Sequence, residues 1–409
     1  MTQLSTARYK PGDVICEEKE SFVHVVYEDV KGKVCDSCIF KQENLKKCSG
    51  CKHMYYCSEE CQRKDWRFAH KYECRNVYAV NFEELTSAIS RLLFRLYNVL
   101  QNNKGLAAQK ANDLTGMAFK DLPWHCEQFV RNEDKMLDFA AICYSFDTFK
   151  IKYNRAIMFE YYCKLQVHAT YFVNRFNNGN HFFLYLSLAA FKHSCVPNAF
   201  FSISETRMIL RAIKEINVGD EIVVSLIELN QDLEGRQKQL KEKYLPECAC
   251  ERCTSDFDKE FDYERLEKLL KERETSKHDN LIPRDSTPKL IFGEQLYKLE
   301  NEILTMYKKV YGDYHPRITE IYLCMAKNLY CMKSHGGLKK LGVDLDQFMA
   351  EAREQYEVTF PDADEKFEKI QEYFSSLKVV PTNLTSEQSM LLSLMADYFN
   401  HPISNNIPS

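Results

Sequence analysis

The chain has 409 residues, 45% hydrophobic and 28% charged, with a formal net charge of -4. That length corresponds to two or three domains at ~150 residues each, and the composition is that of a globular protein with an ample core. Few Gly (13) and Pro (11) exclude collagen-like and low-complexity architectures, and a pI near 6.3 argues against a surface built for nucleic acid. No apolar run approaches a membrane span, and MTQLSTARYKPGDVICEEKE lacks the apolar core of a signal peptide.

In chain order, a Pro11-Gly12 turn leads into a strand at 13–15, and 22–27 alternates weakly as a second strand. A cysteine-rich block follows from Cys35 to Cys74. Leu85, Ile89, Leu92, Leu93 and Leu96 predict an amphipathic helix over 81–100, and helical patterns continue through 120–175. A Gly/Asn loop at 177–180 precedes strands at 199–203, 208–210 and 221–225, the last two separated by a turn at 217–220. A basic helix over 232–244 leads to a second cysteine group, Cys248, Cys250 and Cys253. The polar stretch 274–288 reads as a linker or long loop. Beyond it, five or six helical segments run to Phe399, broken at 311–316, and HPISNNIPS reads as a frayed tail.

Seventeen cysteines without a secretion signal point to metal ligands rather than disulfides. Ten lie in two groups, and Cys16, Cys126, Cys143, Cys163, Cys195, Cys324 and Cys331 are scattered. The first group reads Cys35-x2-Cys38, Cys48-x2-Cys51, Cys57-x3-Cys61 and His70-x3-Cys74, and two or three intervening residues let each pair converge on one tetrahedral zinc. Eight ligands imply two ions, and a segment this small depends on them to fold. His53 competes with His70 for the eighth place. His70 is preferred because it lies one helical turn before Cys74 at the end of a helically spaced segment.

CDSC, CSGC, YYCSEECQRKDW and HKYEC together resemble the MYND zinc finger. The resemblance implies interleaved pairs, with Cys35, Cys38, Cys57 and Cys61 on one zinc and Cys48, Cys51, His70 and Cys74 on the other. It also implies a protein-binding module that takes proline-rich peptides. Direct DNA binding is not expected. Residues 31–75 carry eleven Lys/Arg against six Asp/Glu, a formal +5 that seven zinc-bound thiolates reduce to about +2.

Phe191-Lys192-His193-Ser194-Cys195-Val196-Pro197-Asn198, the following strands and Gly219-Asp220-Glu221-Ile222 resemble the core of a SET domain, the fold of S-adenosylmethionine-dependent protein-lysine methyltransferases. Cys248-x-Cys250-x2-Cys253 is similar to the post-SET zinc cluster, whose fourth ligand by resemblance is Cys195. The chain as a whole thus resembles the SET and MYND domain-containing proteins. The implied fold is α+β: a β-rich SET core split by the finger and a helical insertion, a post-SET zinc cluster, and a C-terminal all-helical, tetratricopeptide-like domain. The corresponding boundaries are 1–34, 35–74, 75–180, 181–228, 229–256 and 257–409. Three zinc ions are expected. Protein partners, among them proline-rich peptides or histones, are expected at the finger and the C-terminal helices, in nucleus and cytoplasm, with no membrane association.

The resemblance fails where methyl transfer needs it. Active relatives carry a Gly-x-Gly turn near the start, whereas MTQLSTARY before Lys10 has no glycine. Lys192 stands where the family has a cofactor-binding Asn, and His168 aligns with a second such Asn. Leu226 occupies the place of the tyrosine lining the lysine channel, with Tyr185 and Tyr244 nearby, and Pro246 replaces an aromatic. His193 is retained as a cofactor-binding position, in the family largely through its backbone. The catalytic residue is therefore unassigned and S-adenosylmethionine binding doubtful. These readings imply a zinc-stabilised, protein-binding scaffold of the methyltransferase lineage with impaired catalysis; the alternative is an active lysine methyltransferase on histone or non-histone substrates.

Overall fold

Short strands from distant parts of the chain pair with one another, and helices fill the intervals. The computed structural model describes residues 3–27, 30–74, 87–174, 179–278, 286–333, 337–360, 367–368 and 370–372. The elements are β1 (Val14–Glu18), β2 (Val23–Val26), β3 (Lys46–Lys47), β4 (Tyr55–Tyr56), α1 (Glu59–Asp65), α2 (Lys71–Glu73) and α3 (Ala88–Asn102). Next come α4 (Cys126–Val130), α5 (Glu133–Thr148), α6 (Arg155–His168), β5 (Ala169–Asn174), β6 (Gly179–Leu184), β7 (Lys192–His193), β8 (Ala199–Ser204), β9 (Arg207–Ala212) and β10 (Val223–Val224). The rest is helical: α7 (Leu233–Glu242), α8 (Glu251–Thr254), α9 (Phe257–Glu260), α10 (Tyr263–His278), α11 (Ser286–Tyr311), α12 (Pro316–Lys333), α13 (Gly337–Leu341) and α14 (Leu345–Thr359). The fold is therefore α+β with a C-terminal helical region, as the sequence implies. Among the described residues no helix is long and apolar enough to cross a membrane.

Two three-stranded sheets, β1-β9-β8 and β2-β6-β5, are antiparallel, and the short pair β10-β7 is parallel. The amino-terminal strands β1 and β2 pair with β9 and β6 nearly two hundred and about one hundred and sixty residues downstream. That closure brackets everything between, so the finger and the helices α3–α6 are inserted in one β framework. Val223 lies beside Lys192 and Val224 beside His193, which fixes the 192–198 loop against β10, two residues before Leu226; the strand expected over 221–225 is thus shorter, Val223–Val224.

Four helical or loop expectations shift. The helix predicted over 81–100 is seen from Ala88, after Ser87 caps it by accepting the Ser90 backbone N–H; residues 81–86 lie outside the described residues. Helix does not continue to 175. It stops at His168, and 169–174 (ATYFVN) is a strand, because β-branched and aromatic residues fit a pleated surface when a partner such as β6 is present. The expected loop at 177–180 gives Gly179 and Asn180 to that strand pair, with 177 and 178 outside the described residues. The expected linker at 274–288 is helical at both its ends, and 279–285 lie outside the described residues. Five helices, α10–α14, occupy the described C-terminal part; Phe399 and the tail lie beyond it.

The buried side chains form separate cores. One joins the finger's Cys35, Cys48, Cys51 and Tyr56 to Leu92 and Leu96 of α3 and to the α5–α6 layer. Another holds Ile15, Leu210, Ile222 and Val224 between the β1-β9-β8 sheet and β10. A third packs Cys195, Leu229 and Leu240 with the C-terminal helices.

Candidate functional site

The finger's ligands arise from two knuckles and one interrupted helix. Ser58 caps α1 by accepting from the Cys61 N–H, which sets Cys57 and Cys61 at the helix entrance. A π-helical turn, Trp66–His70, then widens the helix so that His70 turns into the finger's buried side with Cys74 one turn on. Cys35, Cys38, Cys57 and Cys61 meet in one group, and Cys48, Cys51, His70 and Cys74 in a second; within each, all donor atoms lie within 4.8 Å of one another. The pairs thus interleave as the resemblance implies. His53 belongs to neither group.

Donor spacing fits zinc. Four thiolates at ~2.3 Å from a tetrahedral ion stand about 3.8 Å apart. Here Cys38 and Cys57 are separated by 3.7 Å, Cys48 and Cys74 by 3.8 Å, and Cys57 and Cys61 by 3.4 Å. His70 Nε2 lies 3.4 Å from Cys48 and 3.5 Å from Cys51, while its Nδ1 faces Glu73 Oε2 at 3.7 Å. A carboxylate behind a metal-binding imidazole fixes its tautomer and strengthens it as a ligand.

The third group is Cys195, Cys248, Cys250 and Cys253, again within 4.8 Å, with Cys195 and Cys253 at 3.6 Å. Cys195 comes from the loop after β7, and the other three follow α7. Sequence spacing could group those three but not reach Cys195 across 53 residues; family resemblance did.

Between this group and the sheets lies a cavity of about 610 Å³. Lys192, His193, Ser194, Leu226 and Val223 form one side, Gln166–Thr170 with Pro123 and His125 another, and 243–250 the third. All four degenerate positions line it, and three of them make specific polar contacts. Lys192 Nζ pairs with Glu221 Oε1 at 2.8 Å, so its charge is balanced by a neighbour that also lines the cavity. His168 Nε2 is 2.8 Å from the Pro123 carbonyl and donates to it; burial lowers the ring's pKa to about 4, so it is neutral at pH 7. Leu226 gives only backbone: its N–H donates to His193 Nδ1 (3.1 Å) and its carbonyl accepts from Lys243 Nζ (3.0 Å). Burial also lowers the Lys243 pKa. Pro246 lines the cavity as well.

Of the two tyrosines near Leu226, Tyr185 is buried with its hydroxyl donating to the Thr206 carbonyl. Tyr244 lines the cavity, stacks on Phe129 at 4.1 Å and accepts from Asn132 Nδ2. It also holds φ +57°, with the Leu245 N–H closing onto the Leu240 carbonyl, a helix-ending geometry that ordinarily takes glycine. His125, another cavity residue, has φ +48°.

His168 Nε2 is bonded to the Pro123 carbonyl and Lys192 Nζ is paired with Glu221. Sequence reasoning missed Glu221, Lys243 and the Tyr244 ring's place in the cavity. No spacing rule connects them to Lys192 or Leu226, because they meet only through sheet pairing and the α7 terminus.

A MYND finger family model matches residues 35–74. The histone-lysine N-methyltransferase ASHR1 of Arabidopsis thaliana is 31% identical over 275 residues, 64% of this chain and 54% of the relative. The N-lysine methyltransferase SMYD2-A of Danio rerio is 30% identical over 64% of this chain and 59% of its own length. The histone-lysine N-methyltransferase SMYD3 of Homo sapiens is 28% identical over 61% and 58%. The chain spans somewhat over half the length of these relatives.

Proposed function

The chain belongs to the SET and MYND domain-containing family, in the lineage of protein-lysine methyltransferases, and from that premise we propose that it acts as a zinc-stabilised protein-interaction scaffold whose methyl-transfer cleft is impaired. The observation carrying this reading is the commitment of His168 and Lys192 to Pro123 and Glu221, with Leu226 offering no side-chain polar atom. A sulfonium cofactor needs fixed polar partners, and each hydrogen bond lost to a charged group costs about 1.5–3 kcal/mol. The boundaries 1–34, 35–74, 75–180, 181–228, 229–256 and 257–409 belong to this reading as units of function. The finger and the C-terminal helices serve as its partner surfaces, for proline-rich peptides or histones, in nucleus and cytoplasm. His193 contributes to the cleft through its backbone.

One observation favours a second reading, an active lysine methyltransferase: among the described residues Tyr244 brings a phenol to the cavity that lacks one at Leu226. Calorimetric titration of the full chain with S-adenosylmethionine, followed by tritium transfer to histones and whole-cell lysate, separates the two. Binding weaker than millimolar and no transfer are expected. Micromolar binding with turnover establishes the enzyme.

A further inference from the structure

Arg236 of α7 is fully buried, 0% exposed, beside the third metal group. A buried guanidinium is costly unless all five of its N–H groups find acceptors. Here they do. Nε donates to Cys195 Sγ (3.2 Å) and Nη2 to Cys253 Sγ (3.5 Å). The remaining three go to the Gln231 carbonyl (2.7 Å) and, bidentately, to Asp258 Oδ1 and Oδ2 (both 2.8 Å). Arg252 and Tyr263 brace Asp258 in turn.

Cys195 receives a second donor. His193 Nδ1 accepts the Leu226 N–H, which places the proton of the neutral ring on Nε2, and Nε2 lies 3.3 Å from Cys195 Sγ. Four thiolates around one Zn²⁺ carry a formal -2 in a place where Cys195 is wholly buried. N–H donors to sulfur spread that charge and hold the ligand in place. The ring also forms an unbroken link: metal ligand Cys195, His193, then the backbone of Leu226 in the cavity wall.

We propose that Arg236 and His193 are positioning residues that grip Cys195 from two sides, and that the His193 bridge transmits the state of the third metal centre to the cleft wall at Leu226. Arg236 sets how tightly this centre keeps its metal. The two finger centres, held by other residues, are untouched by it. The link rests on the zinc fit and not on whether the cleft is catalytic.

The test uses the full, zinc-loaded chain. In Arg236→Met, which keeps length and loses all donors, one of three zincs should pass to the chelator 4-(2-pyridylazo)resorcinol at least about ten-fold faster, as expected for lost charge-assisted bonds. The other two should leave at the parental rate, and amide hydrogen exchange at 223–226 should rise together with the loss. Three zincs leaving at parental rates, or a loss that leaves 223–226 unchanged, overturns the proposal. Should Arg236→Met fail to fold, His193→Phe on the cobalt-loaded chain decides. It should keep three metals, shift the sulfur-to-cobalt charge-transfer band and speed Leu226 exchange. A band and exchange rate identical to the parent's overturn the bridge, because a purely space-filling ring would move neither.

Discussion

Arg95 of α3 donates through Nη1 to Glu73 Oε2 of the finger at 3.0 Å and through Nη2 to Asp65, and all three side chains are less than 5% exposed. Asp65 also accepts the Tyr56 hydroxyl at 2.6 Å, and Glu73 faces His70. One guanidinium therefore closes a buried network running from the helical insertion to a metal ligand, so the finger is not a detachable bead. Arg95→Met leaves two carboxylates buried without their cation. It should cost about 3–5 kcal/mol, the usual result of breaking one side of a buried pair. Urea unfolding should report that loss, and hydrogen exchange should rise in 55–74 first. A change below 1 kcal/mol would remove the strut from this account.

Elemental analysis of the pure full chain should give three zincs. Cys51→Ser should release the zinc shared with Cys48, His70 and Cys74 and leave the third centre loaded. Because Cys51 packs in the same core as Leu92, the damage should spread into α3 and stop short of the β1-β9-β8 sheet. A stoichiometry of one, or simultaneous loss of all three metals from the variant, sinks this scheme.

If the committed side chains of His168 and Lys192 are what spoil the cofactor site, restoring amides should repair it. The double variant His168→Asn, Lys192→Asn regains two hydrogen bonds to a charged ligand, and affinity for S-adenosylmethionine should improve at least about ten-fold. It also leaves Glu221 without its lysine, a partly exposed loss of small cost. Calorimetry on parent and variant measures the difference, and equal affinities would mean that these positions do not govern binding.

Acid should weaken the fold by a route that can be dissected. Burial lowers the His315 pKa to about 3, with the Arg317 charge adding to it, and burial lowers His181 to about 3 and His24 to about 4. The unfolded chain takes up these protons below about pH 6.5 while the fold refuses them, so stability falls as pH drops from about 6.5 toward the folded values. Each histidine contributes ~1.4 kcal/mol per pH unit within that window. His315→Gln should narrow the stability difference between pH 7.5 and 5.5 by about 1 kcal/mol in urea titrations. Metal loss affects parent and variant alike, so an unchanged or wider difference refutes the assignment.

Tyr244→Phe keeps the stack on Phe129 and loses the bond from Asn132, at about 1 kcal/mol of stability. Tyr244→Gly removes the ring but relieves the left-handed backbone. On the scaffold reading both variants bind partners as the parent does. Loss of a measurable methyl-transfer rate in Tyr244→Phe, which removes only the hydroxyl, would instead assign the phenol to catalysis.

The finger's metal ligands were legible in the sequence because chelation is local: two or three residues between donors suffice, and the four pairs lie within forty residues, whereas Cys195 lay beyond the reach of spacing. Strands β8 and β9 were legible for the same reason, being alternating runs joined by a short turn. Strand β5 was not, since 169–174 becomes a strand only when β6 offers it a partner, and propensity yields to that pairing. Lys192 read in isolation was a stray cation; the parallel pairing of β7 with β10 and the return of Glu221 made it half of an ion pair. Arg236 read as one more charge on a basic helix, and only the convergence of Cys195, Cys253, Asp258 and the Gln231 carbonyl around it consumed its five donors. Spacing along a chain determines which side chains are able to chelate together. Where a charge ends up, and against what, depends on contacts between segments far apart in sequence, and those exist only once the sheets have closed.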